Sequence, residues 1–117
     1  MTREEQEKIE KRAVCMFGGT AQRLKAIEEM AELTKELLKY YFEDNAEKRK
    51  EIENNIAEEM ADVEIMLEQL EIIFKNRLKI DEWKDYKLER TDKKIQEIIK
   101  KRNIKIEEEK KRRKLCD

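Results

Sequence analysis

The 117-residue chain has room for one domain with a single core, and 49% of its residues are charged while two are glycine and none is proline. That profile favours long helices with solvated faces and disfavours sheets, which need turn residues. A net charge of -1 gives no general attraction to nucleic acid or membrane, and the absence of histidine excludes Ser-His-Asp and Cys-His catalysis, Cys/His zinc sites and Glu-x-x-His di-iron helices. Catalysis, if present, must run on carboxylates, amines, guanidinium groups or a metal. Cys15 and Cys116 lie near opposite ends, which fits isolated thiols in a reducing cytosol better than a disulfide scaffold. The charged N-terminus and the lack of a long apolar segment lead us to expect a cytoplasmic protein without membrane contact.

Thr2-Arg3-Glu4-Glu5 reads as a capping box that opens a first helix reaching about Cys15, with Ile9, Ala13, Val14, Met16 and Phe17 to bury. Gly18-Gly19 breaks it, and Thr20 is a good N-cap for the next helix. A double glycine also occurs in phosphate-binding loops, but the preceding strand and following Lys-Ser/Thr are missing, so a plain helix break is the better reading. The second helix is expected from Ala21 to about Phe42, with a broad apolar arc (Leu24, Ile27, Met30, Ala31, Leu33, Leu37, Leu38, Tyr41) and Glu29 at its border, on the side of Leu33 and Tyr40.

Asp44 and Glu47 suggest a capping box for a third helix, from about Glu47 to Lys79. One stripe on it is Ile56, Met60, Val63, Leu67, Leu70 and Phe74. A second row holds Glu59, Asp62, Met66 and Ile73, whereas Glu64, Glu68 and Glu71 share the far side and are expected to be solvated. Residues 81–86, around Trp83, read as a break. A last helix is expected from about Asp85 past Arg102, packing through Leu88, Ile95, Ile98 and Ile99. Residues 104–117 form a charged tail outside a single domain over 1–103, whose core spans about 15–102. The fold expected is all-α, an antiparallel bundle of about four helices joined by short connections.

Two stretches in this scheme are near copies: Glu28-Glu29-Met30-Ala31-Glu32 and Glu58-Glu59-Met60-Ala61-Asp62. Helical spacing sets Glu29 beside Glu32 and Glu59 beside Asp62. If the two helices are neighbours, four carboxylates converge, and such a set repels itself unless a cation joins it. Hard oxygen ligands suit Mg²⁺ or Mn²⁺. The competing reading is that Glu is a favoured helix residue and these acids are solvated.

EExxE followed on the next helix by ExxD, with the flanking FGGTAQRLKAIEEMAELTKELLK and EEMADVEIMLEQL, resembles the MazG-like all-α nucleoside triphosphate pyrophosphohydrolases, which include the dimeric dUTPases. The likeness covers about residues 15–75 well and 80–102 loosely. It implies hydrolysis of a (d)NTP to the monophosphate and pyrophosphate, with Glu29, Glu32, Glu59 and Asp62 holding Mg²⁺. Glu28 or Glu58 would act in the outer shell or as general base. Gln22 would lie by the nucleotide, with a helix-surface amide as the equal alternative. Lys87 and Arg90 would meet phosphate charge; as exposed cations they have a bland alternative too. Trp83 would either stack on a base or pack on the bundle. The resemblance also implies a homodimer or homotetramer. Two non-enzymatic readings remain: a helical adaptor or assembly module, and a nucleic-acid-binding regulator using the basic tail.

Overall fold

The computed structural model describes residues 1–116, the Cys116 side chain excepted; Asp117 and the Cys116 thiol, both in the expected charged tail, lie outside the described residues. Among the described residues there are four helices and no strand: α1 (Arg3–Phe17), α2 (Gly19–Phe42), α3 (Ala46–Phe74) and α4 (Arg77–Cys116). They fall into two compact units, Met1–Asn76 and Arg77–Asp117. The first is an all-α bundle in which α2 and α3 pair and α1 packs on both. The second is a single helix, unbroken at 103–104, where the tail was expected to begin. None of these helices is long and apolar enough to cross a membrane.

The helix boundaries follow from a few local contacts. At the start of α1, Glu5 N–H donates to Thr2 Oγ1 (3.1 Å) and Thr2 N–H donates to Glu5 Oε2 (3.0 Å), the reciprocal box expected. Gly18 ends α1 with φ 89°, a conformation that only glycine adopts without strain. Because that one residue makes the whole break, Gly19 and Thr20 are already helical and Thr20 is not the N-cap. The start of α3 also differs from expectation. Asn45 Oδ1 accepts the N–H groups of Glu47 (3.0 Å) and Lys48 (3.1 Å), so the cap is Asn45 and not Asp44.

The largest correction lies at the end of α3. It stops at Phe74, where Lys75 turns left-handed (φ 50°, ψ 48°) and its N–H closes on Glu71 O at 2.8 Å. No glycine or proline marks the place. Residues 81–86 are helical, not a break, and α4 begins eight residues before Asp85. Arg77 Nε donates to Asp81 Oδ1 (3.1 Å) and Lys79 pairs with Glu82 (3.8 Å), ion pairs one turn apart that support the first turns of α4.

The buried surface of the bundle is unusually polar. Ala26 and Met66 are its fully buried apolar residues, beside Glu10, Gln22, Glu36 and Gln69. On α2 the inward row is Gln22, Ala26, Glu29, Leu33, Glu36 and Tyr40, whereas Leu24, Ile27, Leu38 and Tyr41 of the expected apolar arc are exposed. On α3 the second row faces inward, carrying Glu59, Asp62 and Met66 with it, while Met60, Leu67 and Phe74 of the first stripe are exposed. The antiparallel register is fixed near both ends. Gln22 Nε2 donates to Gln69 Oε1 at 2.7 Å, and Tyr40 Oη donates to Glu53 Oε1 at 3.1 Å under an Arg49 guanidinium stacked 4.5 Å from the ring centroid.

The docking of α1 is polar as well. Ile9, Met16 and Phe17 are exposed, and the helix buries Glu10 instead. Glu68, expected to be solvated, is half-buried and takes a 2.7 Å bond from Arg3 Nη1. Burial, followed by the hydrogen bond to Glu68, raises the Glu10 carboxyl from 4.5 to about 7; the same bond lowers that of Glu68. A protonated Glu10 thus donates to an ionised Glu68 that Arg3 also holds.

Two tests follow from these contacts. Gln69→Leu strands the buried Gln22 amide and should cost about 1–3 kcal/mol in a denaturant titration, with the double Leu variant losing less. For Glu10, a folded pKa above the unfolded one means its stabilisation is complete below 4.5 and lost as pH rises through about 7. Glu68 works in the opposite sense, losing its contribution as pH falls below the ordinary carboxylate range. Glu10→Gln, which keeps a donor without titrating, should therefore gain in melting temperature over the wild type from about pH 5 to about pH 8.

Candidate metal centre

The Gln22–Gln69 bond sets more than a register. Glu29 lies seven residues after Gln22 on α2, and Asp62 lies seven residues before Gln69 on α3. In antiparallel helices those steps are about two turns each in the same spatial direction, so Glu29 and Asp62 arrive at one level. Glu59 projects from the next turn of α3. Carboxylate oxygens of Glu29, Glu59 and Asp62 all lie within 4.8 Å of one another, and all three residues are half-buried. The two acidic repeats, distant in sequence, are brought together.

The cluster is not neutralised from within. Lys25 reaches Glu29 Oε1 at 3.6 Å, from a side chain about half exposed. Glu59 Oε2 is buried and accepts no hydrogen bond. Burial raises the Glu59 carboxyl above its ordinary value, and the negative charges of Asp62, Glu29, Glu32 and Glu58 push it the same way. Glu32 and Glu58 are exposed but close enough to be felt, and Glu28 is exposed as well.

A divalent cation answers both problems at once. Two oxygens on opposite sides of Mg²⁺ are about 4.2 Å apart, so three carboxylates this close need small side-chain rotations to share one ion. The donor set is oxygen only, which fits Mg²⁺ or Mn²⁺ and not a soft metal. The unpartnered oxygen of Glu59, a residue surrounded by like charges, is the feature of this site that a cation would complete.

Gln22 is neither a helix-surface amide nor open to solvent; it is 5% exposed and bonded to Gln69. Gln69 itself was missed in the sequence, although its place seven residues from Asp62 was a signal available there. Lys87 and Arg90 belong to α4, where both are exposed and the Arg90 guanidinium lies 5.8 Å from the Tyr86 ring centroid. Trp83 is exposed and meets Tyr86 edge to face at 6.0 Å. Leu88, Ile95, Ile98 and Ile99, expected to be packing residues of the last helix, are each about half exposed.

In comparisons with protein-family models, curated proteins and solved structures, none matches the chain.

Because Glu59 is a repelled, desolvated charge, removing that charge should relieve the seam. With a chelator present, Glu59→Gln is expected to melt no lower than the wild type and to gain over it as pH rises above the ordinary carboxylate range, because a raised folded-state pKa makes ionising Glu59 destabilising. Differential scanning calorimetry across pH checks this.

Proposed function

We propose that the protein is a Mg²⁺-dependent nucleoside triphosphate pyrophosphohydrolase, acting on a (d)NTP to release the monophosphate and pyrophosphate. One observation carries the reading: an unpartnered, buried Glu59 oxygen within a cluster whose other members, Glu29 and Asp62, come from the matching acidic repeats. The sequence likeness supplies the reaction class, and the cluster supplies donors of the right chemistry.

In this reading Glu29, Glu59 and Asp62 hold the ion, and Glu32 joins them from the exposed side of the cluster. When bound, Mg²⁺, or Mn²⁺ in its place, neutralises phosphate oxygens and acidifies bound water. Glu28 or Glu58, both exposed to water and each next in sequence to a proposed ligand, would serve in the outer shell or as general base. Gln22 serves as a positioning residue: its amide bond to Gln69 holds the two ligand-bearing helices in register. Lys87 and Arg90 are proposed to offset triphosphate charge, with the sequence likeness as their support. The homo-oligomer is proposed on the same basis, together with the exposed apolar residues Leu24, Ile27 and Leu38 on α2.

That exposed arc also favours one rival, an adaptor whose helices dock on another protein. Incubation with Mg²⁺ and a panel of canonical and modified (d)NTPs separates the two. Monophosphate and pyrophosphate are the expected products, with turnover falling by about a hundredfold or more in Glu59→Gln. Diphosphate and orthophosphate would retain the metal centre and end the pyrophosphohydrolase reading. An absence of turnover, together with a melting temperature that Mg²⁺ does not raise, would favour the adaptor.

A further inference from the structure

Along α4, residues Leu88, Asp92, Ile95, Ile99, Arg102 and Ile106 follow one another at steps of four, three, four, three and four. That spacing keeps them on a single stripe of the helix, the pattern of a coiled-coil seam. Its four apolar members are 49–62% exposed, and Asp92 and Arg102 are exposed as well. Asp92 accepts a bond from Gln96 Nε2 (2.9 Å), one turn on along the same helix. An unbroken helix of 40 residues therefore presents an apolar row with two opposite charges set into it.

The order of the six residues is what identifies an occupant. Read from either end, the row is apolar, charged, apolar, apolar, charged, apolar, and the two charges are of opposite sign. Turned end for end about the level of Glu97, the row complements itself: Leu88 meets Ile106, Ile95 meets Ile99, and Asp92 meets Arg102. A parallel, in-register pairing would instead set Asp92 on Asp92 and Arg102 on Arg102, placing like charges within the seam. Ile98, beside the row, would meet its own copy near the two-fold axis and widen the apolar centre. Self-complementarity about a two-fold axis is the requirement for an isologous contact.

We infer that the Leu88–Ile106 stripe of α4 is a docking surface for the same stripe of a second copy of this chain, paired antiparallel with Asp92 opposite Arg102. The seam runs for about 27 Å along the helix, short for a coiled coil, so the pairing is reversible and depends on concentration. The inference is independent of the pyrophosphohydrolase reading, since none of its residues belongs to the acidic cluster.

Disulfide trapping in the full chain, with Cys15 and Cys116 changed to Ser, tests the register directly. The Leu88→Cys/Ile106→Cys variant should form covalent dimers under mild oxidation by oxidised glutathione, with about tenfold greater yield than either single variant. Within one helix those two positions are too far apart to bridge, so the link reports a second copy. Sedimentation provides the second measurement. Asp92→Arg should raise the dimer Kd about tenfold or more, and Asp92→Arg/Arg102→Asp should return it to within about threefold of the wild type. Circular dichroism verifies that each variant keeps its helices. Equal linking in the single variants, a weakened dimer that the charge swap does not rescue, or a monomer whose α4 stripe is covered by its own chain or by another protein would each overturn the proposal.

Discussion

The bond between the side chains of Gln22 and Gln69 is the constraint on which the first unit depends. Both residues are buried, and the amides lie 2.7 Å apart across the seam of α2 and α3. A buried amide that slipped by one turn would lose its partner and incur a desolvation cost of about 1–3 kcal/mol. Apolar contacts alone discriminate poorly between such registers, and this seam has few of them. The pair of amides therefore specifies alignment in the way that a polar residue does within a coiled-coil core. Everything seven residues away inherits that alignment, including the meeting of Glu29 with Asp62.

The interior of the bundle carries electrostatic tension that hydrophobic burial has to offset. Three acids are drawn into it by different routes. Glu10 resolves its position by holding a proton against Glu68. Glu36 pairs one oxygen with Lys39 at 3.1 Å and leaves the other buried without a partner. Glu59 has neither a proton donor nor a cation beside its buried oxygen, and four carboxylates oppose its charge. A fold selected for stability alone would place leucine at such positions. Of the three, only Glu59 lies in the acidic cluster on which the proposed cation site rests.

Much of the fold was legible in the sequence because it rests on local rules. The Thr2–Glu5 box, the Gly18 break and the helical character of nearly the whole chain follow from propensity and spacing. The end of α3 was not legible, because Lys75 adopts a left-handed conformation without the glycine or asparagine that usually marks one. The inward faces were harder still. Of the expected apolar arc of α2 only Leu33 lies on the inward row, which also carries Gln22, Glu29 and Glu36, so the usual equation of apolar with inward failed for most of the arc. For the site, the repeated acids were visible as a pattern. Which of them converge depended on a register set by Gln69, a residue with no local signature. Glu28 and Glu29 are neighbours in sequence, yet only Glu29 turns into the seam.

Trp83 is the chain's only tryptophan, and it sits on α4, partly exposed against Tyr86. The three-helix unit thus has no indole of its own, and its aromatic reporters are Tyr40, stacked under Arg49, and Tyr41 against Phe42. Emission excited selectively from tryptophan would report the surroundings of Trp83 on α4. Tyrosine absorbance would sum Tyr40 and Tyr41 of the first unit with Tyr86 of α4, and amide circular dichroism would sum all four helices. By composition the chain thus carries one optical label confined to α4, and a change in that signal alone cannot be taken as a change in the three-helix unit.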